Sequence, residues 1–264
     1  MAQGEPGDPT RVAADANERG VAEAAPAGPG RDSRARAGRP RTIAIDGPAG
    51  AGKSTVAEAL AQRLGYLYFD TGVLYRAVTL AALRRDIAVA NGDALAALVG
   101  AIHIDVEVPH IADGRTLTVL LDGEDVTWAI RTPDVERNVS AVSAHAAVRE
   151  ALLQRQREVA ARGGVIMAGR DIGTVVLPDA DLKLYLAASA GVRAKRRQID
   201  EERRDRGRPY DVVLADIQRR DDIDTHRAVS PLRIADDALV IDTEAIDIAG
   251  ELAQIDRVLD EWGG

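Results

Sequence analysis

The sequence predicts an α/β fold, a parallel sheet flanked by helices. From residue 42 onward, short apolar runs alternate with segments of helical periodicity, the pattern of a parallel sheet with crossover helices. A glycine-rich loop joins the first apolar run to the first helical segment. One pair of alternating segments interrupts the series and reads as a small antiparallel insertion. The chain has 264 residues, 46% of them hydrophobic, enough for one α/β domain with an insertion or two small domains. Aromatic residues make up 3%, so the core is expected to consist mainly of Leu, Val, Ile and Ala.

Residues 1–40 are rich in Ala, Gly, Pro and Arg and lack apolar periodicity, which predicts a disordered tail ahead of a folded domain over 41–264. The basic end of this tail, "RDSRARAGRP", reads as an inert flexible leader, with a partner-binding or nucleic-acid-binding arm as the alternative. Acidic residues at Glu5, Asp8, Asp15, Glu18 and Glu23 argue against a mitochondrial presequence.

"TIAID" (42–46) is a buried strand and "KSTVAEALAQRL" a helix through Val56, Leu60 and Leu64. "YLYFD" is a second strand. "GVLYRAVTLAALRR" is a second helix with Leu74, Val78 and Ala81 on one face. "HIDVEV" and "TLTVLLDGEDV", within 103–126, form the hairpin-like insertion. One long helical stretch over 132–163 follows, opened by Thr132 and Pro133. "GVIMAG" and "DLKLYLAA" are strands, an arginine-rich helix covers 190–206, and another helix spans about 211–224. "ALVIDT" and "IAGELAQIDRVLDEW" are the last strand and helix.

The formal net charge of −8 argues against sequence-independent binding to nucleic acid, while leaving room for a local basic pocket. There is no cysteine, which removes disulfides and thiolate metal sites and fits a reducing cytoplasm. No apolar run reaches the length of a membrane span. The expected partners are therefore small molecules, with no nucleic acid and no membrane.

"GPAGAGKS" satisfies G-x-x-x-x-G-K-[ST] at Gly47, Gly52, Lys53 and Ser54, between a strand and a helix. Glycines let successive backbone N–H groups turn toward phosphate oxygens, and the helix N-terminus adds its partial positive charge. Lys53 can reach the β- and γ-phosphates, and the Ser54 hydroxyl can ligate Mg²⁺. Lys53 is one of only three lysines, with Lys183 and Lys195. The loop predicts a P-loop NTPase-like fold holding a nucleoside triphosphate and Mg²⁺. None of Asn17, Asn91 and Asn138 precedes a lysine, so the guanine-reading N-K-x-D is missing. A small kinase or a regulatory nucleotide binder remains.

Arginine placement favours the kinase. Tyr75 and Arg76 follow one strand end, and Arg170 and Asp171 follow another, where open parallel sheets bind ligands. Arg220, Asp224 and Arg227 share one helical face, and "RAKRRQIDEERRDRG" is a dense arginine helix. Arginine clamps would screen the repulsion between two phosphate chains and stabilise the transferring group.

Together, "IDGPAGAGKST", "DTGVLYRA", "GRDIGTVVLPDA" and "RAVSPL" resemble the bacterial cytidylate kinases, over about residues 41–262. The insertion at 103–126 resembles the extended CMP-binding region of that family. The resemblance implies an ATP loop at Gly47, Pro48, Ala49, Gly50, Ala51, Gly52, Lys53, Ser54 and Thr55. It implies a CMP site made of Thr71, Tyr75, Arg76, Ser140, Arg149, Arg170, Asp171, Arg220, Asp224 and Arg227. Arg76, Arg170 and Arg227 would hold the phosphate, and Tyr75, Arg220 and Asp224 would lie near the sugar. Ser140, Arg149 and Asp171 would read cytosine. Lys53, Arg170, Arg196 and Arg227 would be catalytic, with Arg196 in a lid over about 190–210 and the acceptor-binding region over about 71–145. A monomer that phosphorylates CMP, and dCMP as well, is implied. The chain departs from the family pattern at Thr71, where serine is common, at Ala168, where some members carry an acid, and at Ile223, where arginine is frequent.

Overall fold

The structure, a computed structural model, describes Met1 and residues 38–262 apart from 108, 110, 204 and 206. The tail expected over 1–40 lies outside the described residues through position 37. Pro40 is buried, and its carbonyl accepts a hydrogen bond from the Tyr66 hydroxyl at 2.8 Å.

In chain order the elements are β1 (Thr42–Asp46), α1 (Lys53–Leu64), β2 (Leu67–Asp70), α2 (Gly72–Arg84) and α3 (Gly92–Ala101). Then come β3 (Ile104–Glu107), β4 (Thr118–Leu121), β5 (Glu124–Asp125), α4 (Pro133–Ala144) and α5 (Ala146–Ala161). The chain continues through β6 (Val165–Ala168), β7 (Leu182–Ala187), α6 (Ala190–Glu202), α7 (Tyr210–His226), β8 (Leu239–Asp242) and α8 (Ile248–Trp262). Five strands form one parallel sheet in the order β2-β6-β1-β7-β8.

The central strand shows why the sheet needs helices on both faces. Successive side chains of a strand point to opposite sides. Ile43 and Ile45 join a core beneath α1 and α8, while Ala44 joins the core formed with α2 to α5. All three are fully buried. Neighbouring β6 divides in the same way, with Ile166 and Ala168 on the first side and Val165 and Met167 on the second.

The insertion is a three-stranded antiparallel sheet, β3-β4-β5. Its tight turn at Asp122 and Gly123 has positive φ at both positions, 51° and 84°, the backbone that suits a two-residue hairpin.

Three features differ from the sequence reading. Helix α3 was not anticipated; it is held at its start by the Asn91 side chain, which accepts from the Ala94 N–H at 3.0 Å. The helical stretch over 132–163 is broken in two at His145, whose φ of −70° and ψ of 121° are extended. The His145 ring nitrogen Nε2 lies 2.7 Å from the Val89 carbonyl oxygen. This long-range contact outweighs the local helix preference of "SAHAAV". The arginine-rich helix also stops at Glu202, short of 206.

Between β1 and α1 the backbone at Gly47 has φ of +148°. A Cβ there would stand 2.4 Å from the Leu186 carbonyl oxygen on β7. Gly47→Ala therefore meets both strained backbone and another strand's main chain. It is expected to destabilise the fold by about 3 kcal/mol in urea unfolding; a loss below about 0.5 kcal/mol would contradict this close approach.

Candidate active site

The glycine loop is shaped by Gly47, Gly50 and Gly52, with φ of +148°, +81° and +94°. Gly52 caps α1, whose first amides belong to Lys53, Ser54 and Thr55. Amides in a first turn have no partner within the helix and are free to meet an anion. Lys53 Nζ lies across the loop, donating to the carbonyls of Gly47 and Pro48 at 2.7 Å each. Burial and then the charge of Arg170 lower its pKa. Ser54 is exposed, and its side chain is hydrogen-bonded to that of Tyr68.

Beside the loop, a cleft opens at the C-terminal ends of β2 and β6. It is lined by Asp70, Thr71, Gly72, Tyr75, Arg76, Val139, Ser143, Arg149, Gly169, Arg170, Asp171, Arg220, Asp224 and Arg227. The structure thus brings together nine of the ten residues expected to bind the acceptor. The tenth, Ser140, is buried on α4 and does not line the cleft; Ser143, one turn on, does, and its Oγ donates to the Ser140 carbonyl at 3.0 Å.

The cleft is a lattice of alternating charges. Arg170 Nε donates to Asp224 Oδ2 at 2.8 Å. Arg227 lies 3.5 Å from Asp171 and 3.7 Å from Asp224, and its Nε donates to the Ser230 carbonyl at 2.6 Å. Arg149 donates to Asp171 and, at 3.1 Å, to the Ser143 carbonyl. The Arg149 guanidinium stands 5.3 Å from the Tyr75 ring centre, a cation–π distance. Burial, then the neighbouring charge of Arg170, lowers the Arg220 pKa to about 10. Burial pushes the Asp224 carboxyl up, but Arg170 and Arg220 outweigh it and hold the group below its ordinary value.

Even so, the arginines are not fully satisfied. Nε of Arg149, Nε of Arg220 and Nη2 of Arg227 are buried with no hydrogen-bond partner. Buried guanidinium nitrogens without acceptors are costly, and an anionic ligand would relieve that cost. Thr71 Oγ1 donates to the Ala168 carbonyl at 3.1 Å, so its hydroxyl ties β2 to β6.

Arg196 lies elsewhere. It donates to the Thr243 hydroxyl at 3.0 Å and to the Thr243 carbonyl at 2.5 Å, and Thr243 Oγ1 in turn donates to the Ala51 carbonyl of the glycine loop at 3.3 Å. The sequence reading overlooked Arg193. It joins the loop to α7 by donating to the Ala49 carbonyl at 3.1 Å and to both carboxylate oxygens of Asp221. It also overlooked Asp70, Glu136 and Asp46. Asp46 and Asp70 carried a sequence signal, as the last residues of the first two strands, and Glu136 carried none. Asp46 accepts from the amides of Ile172 and Gly173 at 2.8 and 2.7 Å, which anchors the π-helical turn Ile172–Val176 after Asp171.

A strand–glycine loop–helix unit beside an arginine-lined second cleft, at the carboxyl ends of a parallel sheet, defines a P-loop phosphotransferase with separate donor and acceptor sites. A family model described as cytidylate kinase matches residues 43–260, and the chain belongs to that family. A cytidylate kinase of Herpetosiphon aurantiacus is 52% identical over 78% of this chain and 88% of its own length. One of Chloroflexus aggregans is 48% identical over 82% and 92%, and one of Bacillus subtilis 45% over 78% and 91%.

Asp46 gives this region a pH signature. Burial foremost raises its pKa from 3.8 to about 6, against the lowering effect of the two amides. The folded chain therefore holds the proton to higher pH than the unfolded chain, and ionisation costs stability as pH rises from about 4 to 7. Relative to Asp46→Asn, the wild type is expected to lose about 2–3 kcal/mol over that range in urea unfolding. A constant difference between the two proteins would contradict the shift.

Proposed function

We propose that the chain transfers the γ-phosphoryl group of ATP to CMP, giving ADP and CDP, and that dCMP is a second acceptor. The observation that carries this reading is the set of buried guanidinium nitrogens lacking acceptors in the cleft beside Lys53. Such a cleft suits a phosphorylated acceptor better than a neutral alcohol. The arrangement also favours alignment over proton transfer. The attacking atom is a phosphate oxygen that is already anionic near neutral pH, so no general base is needed. Arg76, Arg170 and Arg227 hold the acceptor phosphate, with Tyr75, Arg220 and Asp224 beside the sugar. Arg149 and Asp171, with Ser140 behind them, present a donor and an acceptor to cytosine, whose amino group donates and whose N3 and O2 accept. Lys53 would meet the transferring phosphate, and Arg196 and its helix would close over it and exclude water.

Among the described residues no group of three or more His, Cys, Asp or Glu could hold a metal. That fits Mg²⁺, which keeps several waters and binds chiefly through substrate phosphates. Ser54 at the start of α1 and Asp70 in the cleft are the groups that would hold it, Asp70 through water. Bound there, Mg²⁺ would neutralise charge on the phosphates. The acceptor-binding region spans about 71–145 and the lid about 190–210 of a domain over 41–264, acting as a cytoplasmic monomer. No helix among the described residues is long and apolar enough to cross a membrane.

Asp171→Ala is expected to lower kcat/KM for CMP by about 10–100-fold, the worth of a hydrogen bond to a charged group, while the Kd for ATP stays within about threefold. Measured side by side, equal loss of both would contradict the assignment of Asp171 to the base.

A further inference from the structure

Glu136, in the first turn of α4, accepts hydrogen bonds from three arginines on three other elements. Arg76 on α2 donates at 2.7 Å, Arg197 on α6 at 2.9 Å and Arg220 on α7 at 3.1 Å. Two of these, Arg76 and Arg220, line the acceptor cleft. A carboxylate with three guanidiniums around it reproduces the arrangement in which arginines hold a phosphate. The charge is secure. Burial pushes the Glu136 carboxyl up, but Arg76 and then Arg220 and Arg197 outweigh it and keep the group well below the usual carboxylate range.

We propose that Glu136 is an internal stand-in for the acceptor's phosphate, and that the incoming phosphate must displace its carboxylate from Arg76, which frees Arg220 for the sugar beside it. This rests on the reading of those two arginines as acceptor ligands. Like charges make coexistence unfavourable: a phosphate on Arg76 would face the Glu136 carboxylate across a poorly solvated gap. Displacement is feasible because the Glu136 side chain is 26% exposed and can turn to solvent. It also leaves Arg197 with a partner, since its Nε donates to Glu201 at 3.1 Å. The same movement breaks the Arg197–Glu136 tie between α6 and α4, while Arg193 on α6 still holds Asp221 on α7. Until then Glu136 keeps the arginines apart and oriented at a cost in acceptor affinity.

The sign of one substitution separates this role from a merely structural one. Inorganic phosphate and CMP are titrated calorimetrically, without ATP, into the wild type, Glu136→Gln and Glu136→Asp. Removing the competing charge is expected to make both ligands bind roughly tenfold tighter to Glu136→Gln. The KM for CMP should fall with it, while Glu136→Asp, still anionic, stays near the wild type. Unchanged or weaker binding to folded Glu136→Gln would overturn the proposal, because a residue that only braces the arginines would weaken binding when lost. Should Glu136→Gln fail to fold, the wild type crystallised with phosphate decides. Departure of Glu136 from Arg76 supports the proposal, and retention of the pair with phosphate bound overturns it. Wild-type turnover of CMP, recorded alongside, tests the cytidylate reading separately, since the phosphate titration needs no cytosine.

Discussion

Five arginines line one cleft, and only a lattice of anions makes that arrangement tolerable. Buried guanidiniums without counter-charges repel one another and lose their hydration. Here Asp171, Asp224 and Glu136 stand between them, each shared by more than one arginine. The carboxylates set where each guanidinium points, but they leave several nitrogens unmatched. The fold therefore stores a cationic surface with unmatched donors, Nε of Arg149 and Arg220 and Nη2 of Arg227. The net charge of −8 conceals this, because a total over the chain says nothing of a local cluster of five arginines.

The sheet makes that concentration possible. Parallel strands send all their carboxyl ends to one side, so Asp46, Asp70 and the Arg170–Asp171 pair emerge close together although they are far apart in sequence. The glycine loop sits at the same edge because Gly47 can pass against the Leu186 carbonyl. Helices α4 and α7 then bring Glu136, Arg220 and Asp224 over the cleft. The glycine loop and the arginine cleft are adjacent for a topological reason, since the strands deliver both to the same edge.

Legibility in the sequence followed locality. The loop was readable because its residues are contiguous and their chemistry is narrow. The strands and most helices were readable from their periods, and the insertion from its alternation. The acceptor arginines could be suspected from their places after strands, but only the likeness to cytidylate kinases gave them separate roles. What escaped depended on distant partners. The break at His145 follows from a contact with Val89, 56 residues away. Glu136 looked like an ordinary acid in a helix's first turn, because its arginines lie 60, 61 and 84 residues off. Helix α3, rich in Ala and Leu and containing Gly92 and Gly100, offered little period to read.

A cytidine monophosphate held in the arginine cleft is proposed to accept the γ-phosphoryl group of ATP bound at the adjacent glycine loop. The most direct test is ADP release by the wild-type chain with ATP, Mg²⁺ and each of CMP, dCMP, UMP, AMP and GMP in turn. Strong turnover with CMP and dCMP and little with the purine monophosphates is expected. ADP release with CMP no faster than the rate without acceptor, or a clear preference for another monophosphate, would contradict it.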